Sequence, residues 1–313
     1  MATELQGIPS SGAAEVTLGP VLFNWSAETW RDFYFRIADE APIGTVYVGE
    51  VICSKRAPLF SDMLEPVIAR LQQGGKRVIV SSLSETVLKL DRKLVESVCA
   101  SDEWLVEAND PSSLFYLRGR AHHIGPLVNV YNEEALRVLA KSGARQVCFP
   151  VELPATSLAQ LCAVARELGV ATEIQVFGRQ QLALSARCYH ARAHGRTKDS
   201  CLFVCENDPD GLDLTTLDRQ SCLTVNGIQT MSHDYLSLIA EVPQLLDMGL
   251  DGFRLSPHSC DMVKVARAFD DVIRRHITPA EGQAILDSLD LNAPFANGFF
   301  HGKPGNLFLN AAE

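Results

Sequence analysis

Long basic runs are missing from this sequence. Its 313 residues carry 28 Lys and Arg against 38 Asp and Glu, a formal net charge of −10. A protein that grips phosphate backbones presents a basic stripe, so nucleic acid is not an expected partner. The densest basic stretch, Arg187 to Lys198, also contains His190 and His194. No apolar run approaches the length of a membrane span. The first fifteen residues, M-A-T-E-L-Q-G-I-P-S-S-G-A-A-E, have neither a basic start nor an apolar core, so no signal peptide is expected there. The expected compartment is the reducing cytoplasm, where thiols stay free. No H-E-x-x-H or G-x-S-x-G occurs, which removes two common hydrolytic machineries. No G-x-G-x-x-G follows the first strand-like run, which argues against a dinucleotide-binding open sheet.

What is present is cysteine, nine in all. That is the wrong pattern for a secreted disulfide framework in so long a chain. Cys188, Cys201 and Cys205 form a C-x12-C-x3-C run, and Cys53 lies far upstream in G-E-V-I-C-S-K-R, just after a strand-like run. Cys201 and Cys205, four apart, would share a face on one helical turn. Structural zinc prefers paired C-x2–4-C knuckles, whereas iron–sulfur clusters take four thiolates and accept one from a distant loop. Spacing favours a cluster only slightly over zinc, and Cys188 beside His190 or His194 would also suit a nucleophile. Cys99, Cys148, Cys162 and Cys222 read as small buried hydrophobes. Cys260 has no partner at a ligand spacing.

Short apolar strands alternate with amphipathic helices almost throughout. Strands are expected at Val16–Leu22, Thr45–Gly49, Arg77–Leu83, Trp104–Ala108, His123–Val130, Gln146–Val151, Glu173–Phe177 and Gly252–Ser256. Helices are expected at Ala27–Glu40, Ser61–Gln73, Thr86–Val98, Glu133–Ser142 and Ser157–Leu168, several ending at glycines 74–75, 143 and 169. This rhythm predicts an α/β fold, a (β/α)8 or TIM-type barrel of some irregularity. The alternative is a doubly wound sheet. A disordered tail is expected over 1–14 and a single domain over 15–313. An insertion at about 181–232, built around the metal site, separates the seventh and eighth strands.

Barrel chemistry gathers at the C-terminal ends of strands. Those ends offer Glu50, Glu107, Glu152 and Arg254 as catalytic candidates. Asn109, Asp110 and Asn132 read as helix caps there.

The stretch Glu173–Cys188, E-I-Q-V-F-G-R-Q-Q-L-A-L-S-A-R-C, resembles the signature of the collagenase-like bacterial peptidase family (class U, family 32). Glu173, Gly178, Ser185 and Cys188 match it, while Gln181 stands where a cysteine is expected and Ala186 where a glycine is expected. One branch of that family, which serves oxygen-independent ubiquinone biosynthesis, shows the same departure and is similar over nearly the full length. The supporting stretches are L-G-P-V-L-F-N-W (18–25), Y-V-G-E-V-I-C-S-K-R (47–56), P-V-E-L (150–153), S-A-R-C (185–188) and V-N-G-I-Q-T-M-S (225–232).

The resemblance implies a 4Fe–4S cluster on Cys53, Cys188, Cys201 and Cys205, with Lys55, Arg56 and Arg187 as nearby compensating cations. It implies a heterodimer with a sister protein, UbiU, that hydroxylates the aromatic ring of polyprenylated ubiquinone precursors without molecular oxygen. A UbiT-like lipid-binding accessory protein would present the substrate, and prephenate would be the oxygen source. The rival expectations are a non-catalytic cluster scaffold for UbiU, an RNA hydroxylase and a peptidase.

Overall fold

The computed structural model describes residues 14–309. The tail expected over 1–14 lies outside the described residues except for Ala14, which packs against the core. Seven parallel strands come first: β1 (Glu15–Leu18), β2 (Thr45–Val48), β3 (Arg77–Ser81), β4 (Val106–Ala108), β5 (His122–Ile124), β6 (Ala144–Phe149) and β7 (Ala171–Leu184). Helices α1 (Ala27–Glu40), α2 (Ala57–Gln73), α3 (Lys89–Ala100), α4 (Pro111–Tyr116), α5 (Glu133–Ser142) and α6 (Ala155–Leu168) lie between them. The chain then makes α7 (Tyr189–Ala193), β8 (Leu212–Thr215), β9 (Ser221–Asn226), β10 (Gln229–Ser237) and α8 (Val242–Asp247) before β11 (Gly252–Leu255). Strand β11 pairs in parallel with both β1 and β7, which closes an eight-stranded barrel. Helices α9 (Met262–Ile273) and α10 (Pro279–Asp287) and strand β12 (Phe295–Ala296) complete the described chain.

Alternation along the barrel strands decides what fills each face. Val16, Leu18, Val46, Val48, Val106, Ala108, Val147, Phe149, Phe253 and Leu255 all belong to the main apolar core. Burying each Val, Leu or Phe among them contributes about 1.5–3 kcal/mol. The residues between them, Thr17, Tyr47, Glu107, Cys148 and Arg254, stay outside that core although all are buried. Thr17, Tyr47, Glu107 and Arg254 instead join one polar network through the barrel.

Several element ends differ from the sequence reading. Helix α2 starts at Ala57, directly after the Cys53 loop, with a proline in its first turn; that is a start signal in its own right. The fifth strand stops at Ile124 because Pro126 begins a 3-10 turn over Pro126–Val128. Cys201 and Cys205 do not share a helical turn. Leu202 and Phe203 have φ of 49° and 53°, and a 3-10 turn begins only at Val204. Cys222 is exposed rather than buried, because it is the second residue of β9, at the outer end of the insertion's sheet.

The insertion grows out of β7 itself. Beyond Gly178 that strand leaves the barrel and runs antiparallel to β10, which pairs with β9, and β9 with β8. Gly178 has φ +105°, and a Cβ there would stand 2.8 Å from that of Ser256. Only glycine makes this bend without strain.

Candidate cofactor cavity and barrel mouth

Three separate segments bring the cysteines together. Cys53 follows β2, Cys188 caps the start of α7, and Cys201 and Cys205 lie on the loop after it. All four line one hollow, with Lys55, Arg56, Lys198, Ala191, Phe203, Val204 and Gly227. Its lining holds three cations and no carboxylate.

Each loop is pinned. Glu50 accepts the backbone amides of Ile52 and Cys53, both at 2.8 Å. Burial raises the Glu50 carboxyl above its ordinary range, opposed by Arg56. Arg56 is itself buried and donates to the Leu22 carbonyl at 3.1 Å and to Asn226 Oδ1 at 2.6 Å. Burial alone would lower its pKa, but Cys205 and Glu50 outweigh that and raise it. Lys55 Nζ lies 3.9 Å from Cys201 Sγ and donates to the Lys198 and Asp199 carbonyls. Cys188 Sγ takes the Ala191 amide at 3.4 Å and donates to the Gly227 carbonyl at 3.2 Å. Burial pushes the Cys53 and Cys188 thiols up; Arg56 opposes this at Cys53 and the Ala191 amide at Cys188. Arg187, expected beside the cysteines, is exposed and outside the lining, whereas Lys198 lines it.

These residues fit an anionic thiolate-bound group. Among the described residues the trio of ligand atoms found within 4.8 Å of one another is that of His190, His194 and Asp208, so no three of the sulfurs are so close. A single zinc ion draws its sulfurs to about 3.8 Å apart at a 2.3 Å bond length. The sulfurs as folded are not drawn together in that way.

The barrel mouth is the second candidate. Glu107, Asn109, Gln175, Gln181, Arg254 and Ser256 line it, together with apolar walls that include Leu22, Val51 and Leu127. Below, Arg254 Nη1 reaches Glu107 at 2.6 Å and Glu173 at 2.9 Å. Ser81 and Asn109 also donate to Glu107, and Thr17 to Glu173. The guanidinium lies 4.2 Å over the Tyr47 ring. Tyr47 in turn contacts His123 at 3.1 Å and Gln146 at 2.9 Å. Burial raises Glu173, with Arg254 opposing. Among the described residues, Arg254 Nε and Nη2 donate no hydrogen bond. They face Gly19, where a Cβ would stand 2.8 Å from Nε.

Of the four rim candidates, the structure joins Glu107 and Arg254. Glu50 serves the Cys53 loop, and Glu152 accepts from Tyr131 at the surface. Asp110 and Asn132 cap α4 and α5 as expected, but Asn109 does not cap; its amide turns to Glu107 and the Ser82 carbonyl. Tyr47, His123 and Gln175 were not picked out from sequence. Their signal is a polar residue at every second position of otherwise apolar strands.

The two sites adjoin. Leu22, Val51, Ile52, Cys188, Ala191 and Ile228 form a separate apolar cluster. Through it runs a hydrogen-bonded path: Gln181 to Gln229 at 2.8 Å, Gln229 to the Leu22 carbonyl at 2.8 Å, and Arg56 to that same carbonyl. Gln181, at the position where the family signature has a cysteine, lines the mouth and not the cysteine cavity.

Fold and sites together define a (β/α)8-barrel protein with a thiol-lined cavity built partly on an insertion before its last barrel strand. The chain belongs to peptidase family U32, whose family model matches residues 25–308. It is 24% identical over 199 residues to the tRNA hydroxylation protein P1 of Bacillus subtilis (strain 168). That match takes in 58% of this chain and spans less than half, 46%, of the relative. Among solved structures, the octameric ribulose-1,5-bisphosphate carboxylase/oxygenase from Pyrococcus horikoshii OT3 has a TM-score of 0.44 at 12% identity, covering 87% of this chain and 64% of that one. A B. cereus protein gives 0.39 at 10% identity, covering 78% and 61%. Likenesses that distant carry no argument. No described helix is long and apolar enough to cross a membrane.

Proposed function

We propose that the chain is the iron–sulfur subunit, of the UbiV type, of an oxygen-independent hydroxylase acting on the aromatic ring of ubiquinone precursors together with UbiU. The observation that carries this reading is the cavity in which four cysteines from three segments meet three cations and no carboxylate. Cys53, Cys188, Cys201 and Cys205 would hold a 4Fe–4S cluster. When bound, such a group supplies one-electron redox chemistry. A core of charge 2+ with four thiolates is a dianion, and Lys55, Arg56 and Lys198 offset it. Glu50 holds the Cys53 loop in place, and the apolar cluster keeps water from the side facing the barrel.

The barrel mouth would receive the reacting ring. Leu22, Val51 and Leu127 give it apolar walls, while Asn109, Gln175, Gln181 and the open edge of Arg254 bind its oxygens. Glu107 and Glu173 fix the guanidinium so that this edge faces the ligand. A UbiT-like carrier would present the polyprenyl chain, and prephenate would be the oxygen source. The cytoplasm is the compartment this reading requires.

Hydroxylation of tRNA is the second reading, favoured by the printed name of the B. subtilis relative. The net charge of −10 opposes it unless a partner supplies the basic surface. One experiment separates the two. Cells lacking this chain are grown without oxygen, and their ubiquinone and hydroxylated tRNA nucleosides are measured by mass spectrometry. Loss of ubiquinone with unchanged tRNA supports the proposal; the reverse transfers it to RNA. Protein purified without oxygen should carry about four irons and four sulfides per chain. Colourless, iron-free protein would overturn the cluster and return the peptidase reading.

A further inference from the structure

His190, His194 and Asp208 take no part in the thiol cavity, yet one ligand atom from each lies within 4.8 Å of the others. The histidines lie one turn apart, at the second residue and at the C-cap of α7, with rings stacked at 5.2 Å and 6°. Asp208 follows the 3-10 turn that carries Cys205.

The hydrogen bonds fix the tautomers. His190 Nδ1 is 3.1 Å from the Val225 carbonyl, and His194 Nδ1 is 3.1 Å from the His190 carbonyl. A carbonyl only accepts, so each Nδ1 carries the proton and a neutral ring presents Nε2 as a bare lone pair. His190 Nε2 lies 2.9 Å from Asp208 Oδ2. Both atoms are buried, and neither makes a hydrogen bond. His190 as a whole is fully buried. Two acceptors at that separation repel unless a cation lies between them. A proton on His190 Nε2 would be one remedy, but the pair is not aligned for it. A metal ion is the other.

The geometry points to a second metal centre, in which His190 Nε2, His194 Nε2 and an Asp208 carboxylate oxygen bind one zinc-like divalent ion and leave a position for water. Two imidazoles and a carboxylate are borderline donors of the kind zinc accepts with an open fourth site. The outer contacts are those expected around metal-bound histidines, each ring donating its other N–H to a carbonyl. Asn226 Nδ2 steadies the acid's loop by donating to the Asp208 carbonyl at 2.9 Å and the Cys205 carbonyl at 3.1 Å. The ion would tie α7, whose N-cap is Cys188, to the segment that follows Cys205. This inference rests on the imidazole and carboxylate groups alone and stands apart from the cluster reading.

The test is titration of the full chain, purified without oxygen and freed of loosely bound divalent metal, with Co²⁺ and then Zn²⁺. The expected result is one Co²⁺ per chain with visible ligand-field bands and no intense thiolate-to-cobalt charge transfer, displaced by one Zn²⁺. His194→Gln and Asp208→Asn should each weaken it about tenfold or more with iron content unchanged. His194 is exposed, so its variant decides the matter even where His190→Gln does not fold. No stoichiometric binding at micromolar metal, thiolate charge-transfer bands, or affinity indifferent to both variants would overturn the site. Iron-free protein that still binds Co²⁺ with the nitrogen–oxygen spectrum would sink the cluster reading and leave this one standing.

Discussion

The barrel mouth and the cysteine cavity adjoin, yet they handle charge in opposite ways. In the barrel, Arg254 already holds two carboxylates, and a hydroxyl or amide satisfies each of those in turn. The cysteine cavity presents Lys55, Arg56 and Lys198 with no carboxylate in its lining. Lys55 and Arg56 spend their donors on carbonyls and an amide. One region balances its buried charge within the fold; the other sets cations around thiols with no carboxylate in the lining to offset them. The lesson is that charge in the lumen is met by opposite charge, whereas charge around the thiols is met by carbonyls and an amide.

The contrast is most exposed to failure at the cysteines. Cys53→Ala should abolish iron retention and hydroxylation together while far-ultraviolet circular dichroism stays unchanged, and Cys99→Ala, inside the apolar core, should keep its iron. Full iron in the Cys53 variant would remove that residue from the ligand set.

Next in size is Arg254→Met. It strands two carboxylates in the lumen, a loss of about 3–5 kcal/mol that urea unfolding would detect. A stability within 1 kcal/mol of the parent, on the order of a surface change, would mean that the lumen is wetter than the network implies.

The lumen should also be acid-sensitive. Burial, with Arg77 and Arg254 adding to it, lowers His123 to about 3. An unfolded histidine titrates near pH 6.5. Below that pH the unfolded chain takes up a proton that the folded chain refuses. Stability is therefore full above about 6.5 and falls by about 1.4 kcal/mol per unit on acidification, until the folded value is reached. Comparing unfolding midpoints at pH 7 and pH 5 for the parent and His123→Asn should show a flatter dependence in the variant.

Gly227→Ala tests the cavity wall. Its φ of +67° and the 2.5 Å from a built Cβ to Arg56 Nη2 predict a cost of about 1–2 kcal/mol, with Arg56 displaced and iron binding weakened. Smallest is Lys55→Gln. Removing a cation 3.9 Å from Cys201 Sγ should lower the reduction potential by on the order of tens of millivolts, because the more negative reduced state loses support. Arg187→Ala, on an exposed residue, should leave the potential alone. A shift in the Arg187 variant equal to that in the Lys55 variant would erase the distinction between lining and surface charge.

Legibility differed between the two regions for a physical reason. The eight parallel strands follow from local alternation and glycine stops, which are properties of short windows, and each appears close to its expected place. Glu107 and Arg254 were reached through the rule that strand ends carry chemistry. Tyr47 and His123 were not, because they look like ordinary strand residues until the sheet closes on itself. Asn109 reads as a cap in isolation, and only the neighbouring Glu107 claims its amide.

By itself the sequence determined the barrel, because hydrophobic periodicity and turn chemistry act over a few residues. It also carried the family resemblance, through motifs that keep their residues at fixed spacing. Tertiary structure decided the rest. Cys53 meets Cys205 across more than 150 positions, Lys198 and not Arg187 faces the thiols, and His190 finds Asp208 only when α7 folds against the loop beyond it. Those meetings depend on closure of the sheet and on the bend at Gly178, and long-range contact geometry leaves no mark on local composition.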